Sequence, residues 1–221
     1  MNVRDALIQR KSTRAFLDKP VEQAVIERIL DAARNAPSGA NTQPWQVAVV
    51  SGEAKQSLQQ QMSDAFHQGQ RGQMDYQYYP LDWKTPYKQR RNACGMQLYT
   101  ALGITRDDKQ RRQEQWAANY RAFDAPVMLF FFLDAGLEAG SYIDSGMFLQ
   151  SVMLAALEQG LATCPEAALA EYPDMVKAAL NYPENTTLIC GMALGYADEQ
   201  ADINSYRTAR EEVHTFTRFF D

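Results

Sequence analysis

Of the 221 residues only three are cysteine and two are histidine, and proline and glycine are also sparse at nine and twelve. Each scarcity excludes something. Cys94, Cys164 and Cys190 lie far apart and are odd in number, which argues against a disulfide framework or a zinc ribbon and predicts reduced, buried thiols. His67 and His214 sit in no zinc-protease spacing and beside no nucleophile, so they read as surface or loop residues, and no metal is expected. An apolar content of 46% with little proline and glycine rules out collagen-like, low-complexity or disordered sequence. The longest strand-like apolar run, Pro126 to Leu133, is far short of the roughly 20 residues a bilayer requires. The N-terminal stretch MNVRDALIQRKSTR is charged from residue 4 and has no secretion-signal character. A net charge of −5 has the wrong sign for a general nucleic-acid binder. Also missing are a Gly-rich dinucleotide fingerprint, a phosphate loop ending in Gly-Lys-Ser/Thr, and a nucleophile elbow. The expectation is a cytoplasmic globular chain with neither nucleic-acid nor membrane partners.

What is present reads as a single α+β domain over 1–221, with no repeats and no clean linker. A short helix over Val3 to Ile8 leads into Arg10-Lys11-Ser12-Thr13-Arg14. Ile26, Ile29, Leu30 and Ala33 recur at helical spacing, and the helix is expected to end at Pro37, because the residue before proline is pushed out of helical space. The loop 37–44 is polar and rich in small residues, and it feeds an apolar strand over Trp45 to Val50. A polar helix from 53 dissolves into a Gln-, Gly- and Tyr-rich stretch that reads as a flexible excursion. Helices are expected over 87–102 and 106–121. Pro126 to Leu133 is continuous apolar sequence, as in a strand covered on both faces. Gly146 to Leu157 carries no charge, which predicts a helix buried on most sides, at the domain centre or a subunit interface. A short strand over Leu161 to Cys164, a helix over 172–180 and a buried strand over Thr187 to Leu194 precede a polar tail.

Two segments carry chemistry. In Arg10-Lys11-Ser12-Thr13-Arg14 three cations and two hydroxyls are close enough to converge on one anion, since guanidinium forks match phosphate oxygens. The same cluster is equally readable as a solvated basic turn. Ala36 to Trp45 offers Ser, Asn, Thr and Gln hydrogen-bonding groups beside a large aromatic, and by itself is also an ordinary helix-to-strand connection. Cys164, ahead of Pro165 in an apolar strand, reads as a packed thiol, and the methionines of 147–192 as core filler.

Taken in order, RKSTRAF, APSGANTQPW, YIDSGMFLQSVMLAALEQGLATCPEAAL, TLICGMALGY and INSYRTAREEV resemble the nitroreductase family of FMN-dependent oxidoreductases, over essentially the whole chain except a variable excursion near 68–90. The resemblance implies a central mixed, mainly antiparallel sheet flanked by helices. It also implies an intertwined homodimer with FMN in an interface cleft and a C-terminal tail, 196–221, that contacts the partner subunit. Carried over, Arg10, Lys11 and Ser12 contact the phosphate and ribityl chain, and Arg14 approaches the N1/O2 edge of the flavin. A cation there stabilises the charge of the reduced ring. Some relatives have Lys at that position. Pro37, Ser38, Gly39 and Asn41 come from the other subunit; relatives often have Ser where Gly39 removes a side chain above the ring. Glu166 and Ala167 lie beside the ring with a backbone N–H aimed at N5. Arg207 and Arg210 close on the phosphate.

The implied activity is reduction of nitroaromatics by NAD(P)H in a ping-pong, two-electron hydride scheme, with no side chain as a catalytic acid or base. Quinones are further candidate acceptors. A quinone or enone reductase, a dehalogenase, a flavin-fragmenting enzyme and a non-catalytic flavin-binding protein remain as alternatives. Tyr76, Tyr78, Tyr79, Trp83, Tyr87, Trp116 and Tyr120 are candidates to line the acceptor space, with packing the alternative for each.

Overall fold

The computed structural model describes residues 1–220. In chain order its main elements are α1 (Val3–Gln9), α2 (Gln23–Ala33), β1 (Gln46–Ser51), α3 (Gly52–His67), α4 (Tyr87–Ala101), α5 (Lys109–Ala117), β2 (Val127–Asp134), α6 (Ala139–Glu158), β3 (Ala162–Glu166), α7 (Pro173–Leu180), β4 (Thr186–Gly195) and the short α8 (Val213–Phe216). The four strands form one sheet in the order β1-β2-β4-β3, every neighbouring pair antiparallel. A parallel component enters only as an isolated bridge between Ser12 and Thr163.

The sheet is built around β2. Its side chains alternate between two cores, as strand geometry demands. Met128, Phe130 and Phe132 meet Leu58 and Met62 of α3 and Val176 of α7. Val127, Leu129, Phe131 and Leu133 meet Ile26 and Ile29 of α2 and Phe148 and Val152 of α6. Every β2 residue but Asp134 is buried, so the continuous apolar run in the sequence reflects a strand with helices on both sides. The β2–β4 register shifts at Phe131/Phe132, where Cys190 and Leu188 are the partners and Ile189 is left over. This bulge sends Ile189 and Cys190 to the same core.

Several boundaries differ from the sequence-based expectation, each for a local reason. α2 stops at Ala33, ahead of Pro37, because the Asn35 side-chain amide donates to the carbonyls of Asp31 and Ala32 and competes with the helical ladder. α5 is confined to Lys109–Ala117. The Asp108 carboxylate caps its start, and in the 3₁₀ segment Ala118–Asp124 that follows, Ala122, Phe123 and Asp124 all take positive φ, at 51°, 52° and 59°. α6 begins at Ala139, earlier than expected, and within one chain is buried along one stripe only: Asp144, Ser145, Phe148, Val152 and Ala156. Ile143 (68% exposed) and Met147 lie on its open side.

The excursion after α3 is not loose. β3 covers only the second half of β4, and the exposed edge of the first half is taken by the excursion. The Asp75 carboxylate accepts the Leu188 N–H at 2.7 Å and pairs with Lys177 Nζ at 2.9 Å, and the Tyr76 hydroxyl donates to the Ile189 carbonyl at 2.7 Å. Tyr172 Oη donates to the Gln70 carbonyl. At Gly72 a Cβ would stand 1.8 Å from the Glu171 carbonyl oxygen, so only glycine permits this approach. Side chains thus finish a strand edge that β3 leaves open. Replacing Asp75 with Ala should cost about 3 kcal/mol, since it orphans a mostly buried lysine and a strand N–H together. Urea unfolding measures the loss, and amide exchange should quicken across 70–76.

Candidate active site

The two ends of the chain meet at β3. After α1 the backbone turns extended at Arg10 (φ −55°, ψ 127°) and runs along the outer edge of β3. Thr13, itself buried, donates its N–H to the Thr163 carbonyl at 3.0 Å. On its other side the segment takes the strand that follows β4: Leu17 N–H bonds the Tyr196 carbonyl, Asp198 N–H bonds the Ala15 carbonyl, and Phe16 pairs with Ala197. Asn204, buried, locks the junction. Its Oδ1 accepts the Arg14 N–H at 2.8 Å, and its Nδ2 donates to the carbonyls of Ala15 (2.9 Å) and Asp198 (2.8 Å). Its own carbonyl accepts from Lys11 Nζ at 2.8 Å. Sequence reasoning did not single out Asn204, because nothing in spacing distinguishes an asparagine that ties two segments from one in a solvated loop.

This junction encloses a cavity of about 380 Å³ lined by Arg10, Lys11, Ser12, Arg14, Arg207 and Arg210, with Leu7, Ile8, Cys94 and Tyr206 completing most of the wall. Six of the candidate residues are therefore brought together. Their donors are not equally free. Arg207 spends both terminal nitrogens on the carbonyls of Ile8 and Gln9, with Arg10 O at 3.3 Å, closing the end of α1 where helical carbonyls lack partners. Lys11 Nζ also pairs with Glu199 at 3.0 Å. Arg210 bonds only oxygens of its own segment, at Thr208 and Ala209. Arg10 has no side-chain hydrogen bond among the described residues. Burial first, then the charges of Arg210 and Arg207, push its pKa below the ordinary arginine value. Guanidinium groups do not give up their protons at any ordinary pH, so the relief for this crowding is an anion.

Glu166 ends β3 with both carboxylate oxygens buried and unpartnered among the described residues. Burial holds its carboxyl well above the usual range, with the nearby Arg14 charge only partly opposing this. Ala167 follows, half-buried, at the start of a 3₁₀ turn. Arg14 itself donates to the Ser12 carbonyl at 3.4 Å and stands 5.8 Å from the centroid of the Phe123 ring. Cys164 and Cys190 are buried, and desolvation lifts both thiols to about 12, which makes them inert. Cys94 is exposed on the cavity wall, contrary to the expectation of three buried thiols, because α4 buries none of its residues. His67 is a surface residue, as expected, at the last position of α3, where a ring nitrogen meets the Ser63 carbonyl.

Pro37, Ser38, Gly39 and Asn41 do not line this cavity. Their loop rests on α6, with Gly39 N–H on Asp144 Oδ1 at 3.2 Å and Gln43 N–H on Ser38 Oγ at 2.9 Å. It is conformationally costly: Ala40, Asn41 and Gln43 all have positive φ, at 48°, 57° and 49°. Such outliers concentrate where structure serves function. A second cavity, of about 690 Å³, shares Arg14 with the first and is lined in part by Tyr79, Tyr99, Trp116 and Phe123. Two of the candidate aromatics, Tyr79 and Trp116, are therefore placed on it. Tyr76 and Tyr120 instead pack in the cores, while Tyr99 and Phe123 had carried no signal beyond ordinary hydrophobicity.

Replacing Asn204 with Ala should destabilise the fold by about 2–3 kcal/mol, because it leaves the Arg14 N–H and two carbonyls unpaired; thermal unfolding reads the loss. Glu166 binds its proton more tightly folded than unfolded, so its contribution is full below the ordinary pKa of 4.5 and is lost as pH climbs through the raised folded value. Glu166→Gln should accordingly gain stability relative to the parent as pH rises from about 4.5 towards neutrality, by up to about 1.4 kcal/mol per pH unit, in denaturant titrations at a series of pH values.

Comparison with known proteins agrees with this architecture. The family model described as the nitroreductase family matches residues 7–196. A 4-nitrobenzoate reductase of Pseudomonas putida is 38% identical over 216 residues, 97% of this chain and 94% of that protein. A nitrobenzene nitroreductase of Ectopseudomonas oleovorans is 37% identical, covering 97% and 95%. Among solved structures, the FMN and NADPH-dependent nitroreductase NfnB from sphigopyxis sp. strain HMH superposes with a TM-score of 0.97 at 40% identity, over 100% of both chains. The chain, with its two ends joined beside an antiparallel sheet, belongs to the nitroreductase family.

Proposed function

We propose that this protein is an NAD(P)H-dependent nitroreductase that holds FMN without a covalent bond and reduces nitroaromatic compounds. The observation that carries the reading is the cavity at the junction of the chain ends, where a half-buried Arg10 with no partner among the described residues faces Arg210. A phosphate monoester is the group whose charge and planar-fork acceptor geometry answer that arrangement. When bound, FMN supplies a ring that exchanges hydride with NAD(P)H and with the acceptor.

The chain's own residues have distinct parts. Arg10 and Arg210 hold the phosphate, with Ser12 adding a hydroxyl, while Arg207 and Lys11 keep the cavity in shape. Arg14 supplies a fixed positive charge toward the flavin's N1/O2 edge. Burial raises the affinity of the Glu166 carboxyl for its proton against the opposing charge of Arg14, and the backbone at Glu166 and Ala167 offers an N–H to the ring. No dinucleotide fingerprint is present, so NAD(P)H and the acceptor use the same space in turn, a ping-pong order.

The unit is a homodimer in this reading. Apolar surface is left uncovered on the open side of α6 (Ile143, Met147), on α1 (Val3, Leu7, Ile8) and in the tail, where Phe219 is 83% and Phe220 88% exposed. Exposed apolar side chains grouped on single elements mark a surface that a partner can cover. A second copy covers it, the part of the tail beyond Arg210 reaching across, and brings the strained loop with Pro37, Ser38, Gly39 and Asn41 to the flavin; Asp221 of that tail lies outside the described residues.

Purified protein should be yellow, release FMN on denaturation, elute as a dimer, and oxidise NAD(P)H when a nitroaromatic is added. A colourless protein that takes up no FMN refutes the reading. Arg10→Ala and Arg210→Ala should each weaken FMN binding about 10- to 100-fold, the loss of one charged hydrogen bond, as measured by quenching of flavin fluorescence. Lys11→Ala should cost less, since its ammonium is already engaged by Glu199 and Asn204.

A further inference from the structure

The second cavity opens beside Arg14, between α4, α5 and the left-handed turn at 122–124. Four arginines line it (Arg14, Arg91, Arg106 and Arg112) and neither aspartate nor glutamate is among its lining residues. This reverses the acidic balance of the chain as a whole. Of the eleven arginines outside this cavity, four pair with carboxylates among the described residues: Arg34 with Asp31, Arg90 with Glu211, Arg111 with Asp108, Arg121 with Asp124. The four in the cavity have no ion-pair partner among the described residues.

Two of them are held by aromatic rings instead. The Arg112 guanidinium stands 4.1 Å from the Tyr99 centroid, and that of Arg91 5.2 Å from the Trp83 centroid. A guanidinium resting on a ring face keeps its in-plane N–H donors unspent. Trp116 and Phe123 supply flat apolar surface in the same cavity. Flat aromatic walls with unspent planar donors and no anion of their own complement a planar ring that bears a carboxylate.

We propose that Arg91 and Arg112 are specificity-determining residues that select acceptors whose reducible aromatic ring carries an anionic group, a carboxylate above all. The inference rests on the nitroreductase reading for its chemistry. A phosphate of NADPH offers the same charge from a different source, and the test separates the two.

FMN-loaded protein is assayed at low ionic strength with NADH as reductant on 4-nitrobenzoate and on 4-nitrobenzamide, which share a ring and differ in charge. Binding of benzoate and benzamide without reductant is followed by calorimetry. The parent should prefer the carboxylate in kcat/KM. Arg112→Gln and Arg91→Gln should each reduce that preference about tenfold, chiefly through KM, with a matching loss in benzoate over benzamide affinity. Arg112→Lys should retain part of the preference, and Arg34→Gln, outside the cavity, all of it. An unchanged preference in both glutamine variants overturns the proposal. So does a rise in KM for NADPH but not NADH with the acceptor preference intact, because the cavity then serves the dinucleotide's phosphate. Failure to reduce either acceptor strikes the nitroreductase reading itself, and the benzoate calorimetry still decides whether this cavity prefers an anion.

Discussion

Like charges do not gather in a half-open cavity unless the backbone compels them, and here it does. Arg10 and Arg210 arrive from opposite ends of the chain and are brought together without a carboxylate between them. Arg207 holds its place by closing the last turn of α1, Lys11 by reaching Glu199 and Asn204. The repulsion is sustained by hydrogen bonds that have no charge partner of their own, chiefly those of the Asn204 amide. The cavity is therefore a site prepared before any ligand arrives, and preparation of this kind lowers the cost of binding, because few groups remain to be ordered.

The same economy shapes the rest of the molecule. β3 is too short to cover β4, and each uncovered length is finished by something else: residues 12–13 along the outer edge of β3, Asp75 and Tyr76 along the first half of β4. The β4 bulge at Ile189 leaves a carbonyl that the Tyr76 hydroxyl then satisfies. Both segments that complete the sheet are non-helical stretches of the sequence, and both lead directly into the walls of a cavity. The first cavity draws its cations mostly from irregular chain, whereas the second takes Arg91 and Arg112 from α4 and α5.

The regular parts of the fold were legible from residue order. The apolar run of β2 announced a strand with two covered faces, and the spacing of Ile26, Ile29 and Ala33 announced α2. The grouping of Arg10, Lys11, Ser12 and Arg14 with Arg207 and Arg210 was reachable only through resemblance, since about two hundred residues separate the halves and no periodicity links them. Two kinds of detail were not legible. Side chains that act as backbone substitutes, such as Asn35, Asp75 and Asn204, look like ordinary polar loop residues until their partners are known. The burial of α6 was overstated, because absence of charge does not fix which faces are covered, and within the chain only the stripe through Phe148, Val152 and Ala156 meets the core.

The closing of the first cavity by residues 204–210 has a bearing on biogenesis. Arg10 is synthesised about two hundred residues before Arg210, and every strand of the sheet is made before the residues that close the hollow. Until those residues are made, the hollow lacks the wall that Tyr206, Arg207 and Arg210 supply. A chain cut between Gly195 and Asn204 would keep every strand of the sheet yet lack Arg207 and Arg210, a loss that an abundance measurement alone would overlook.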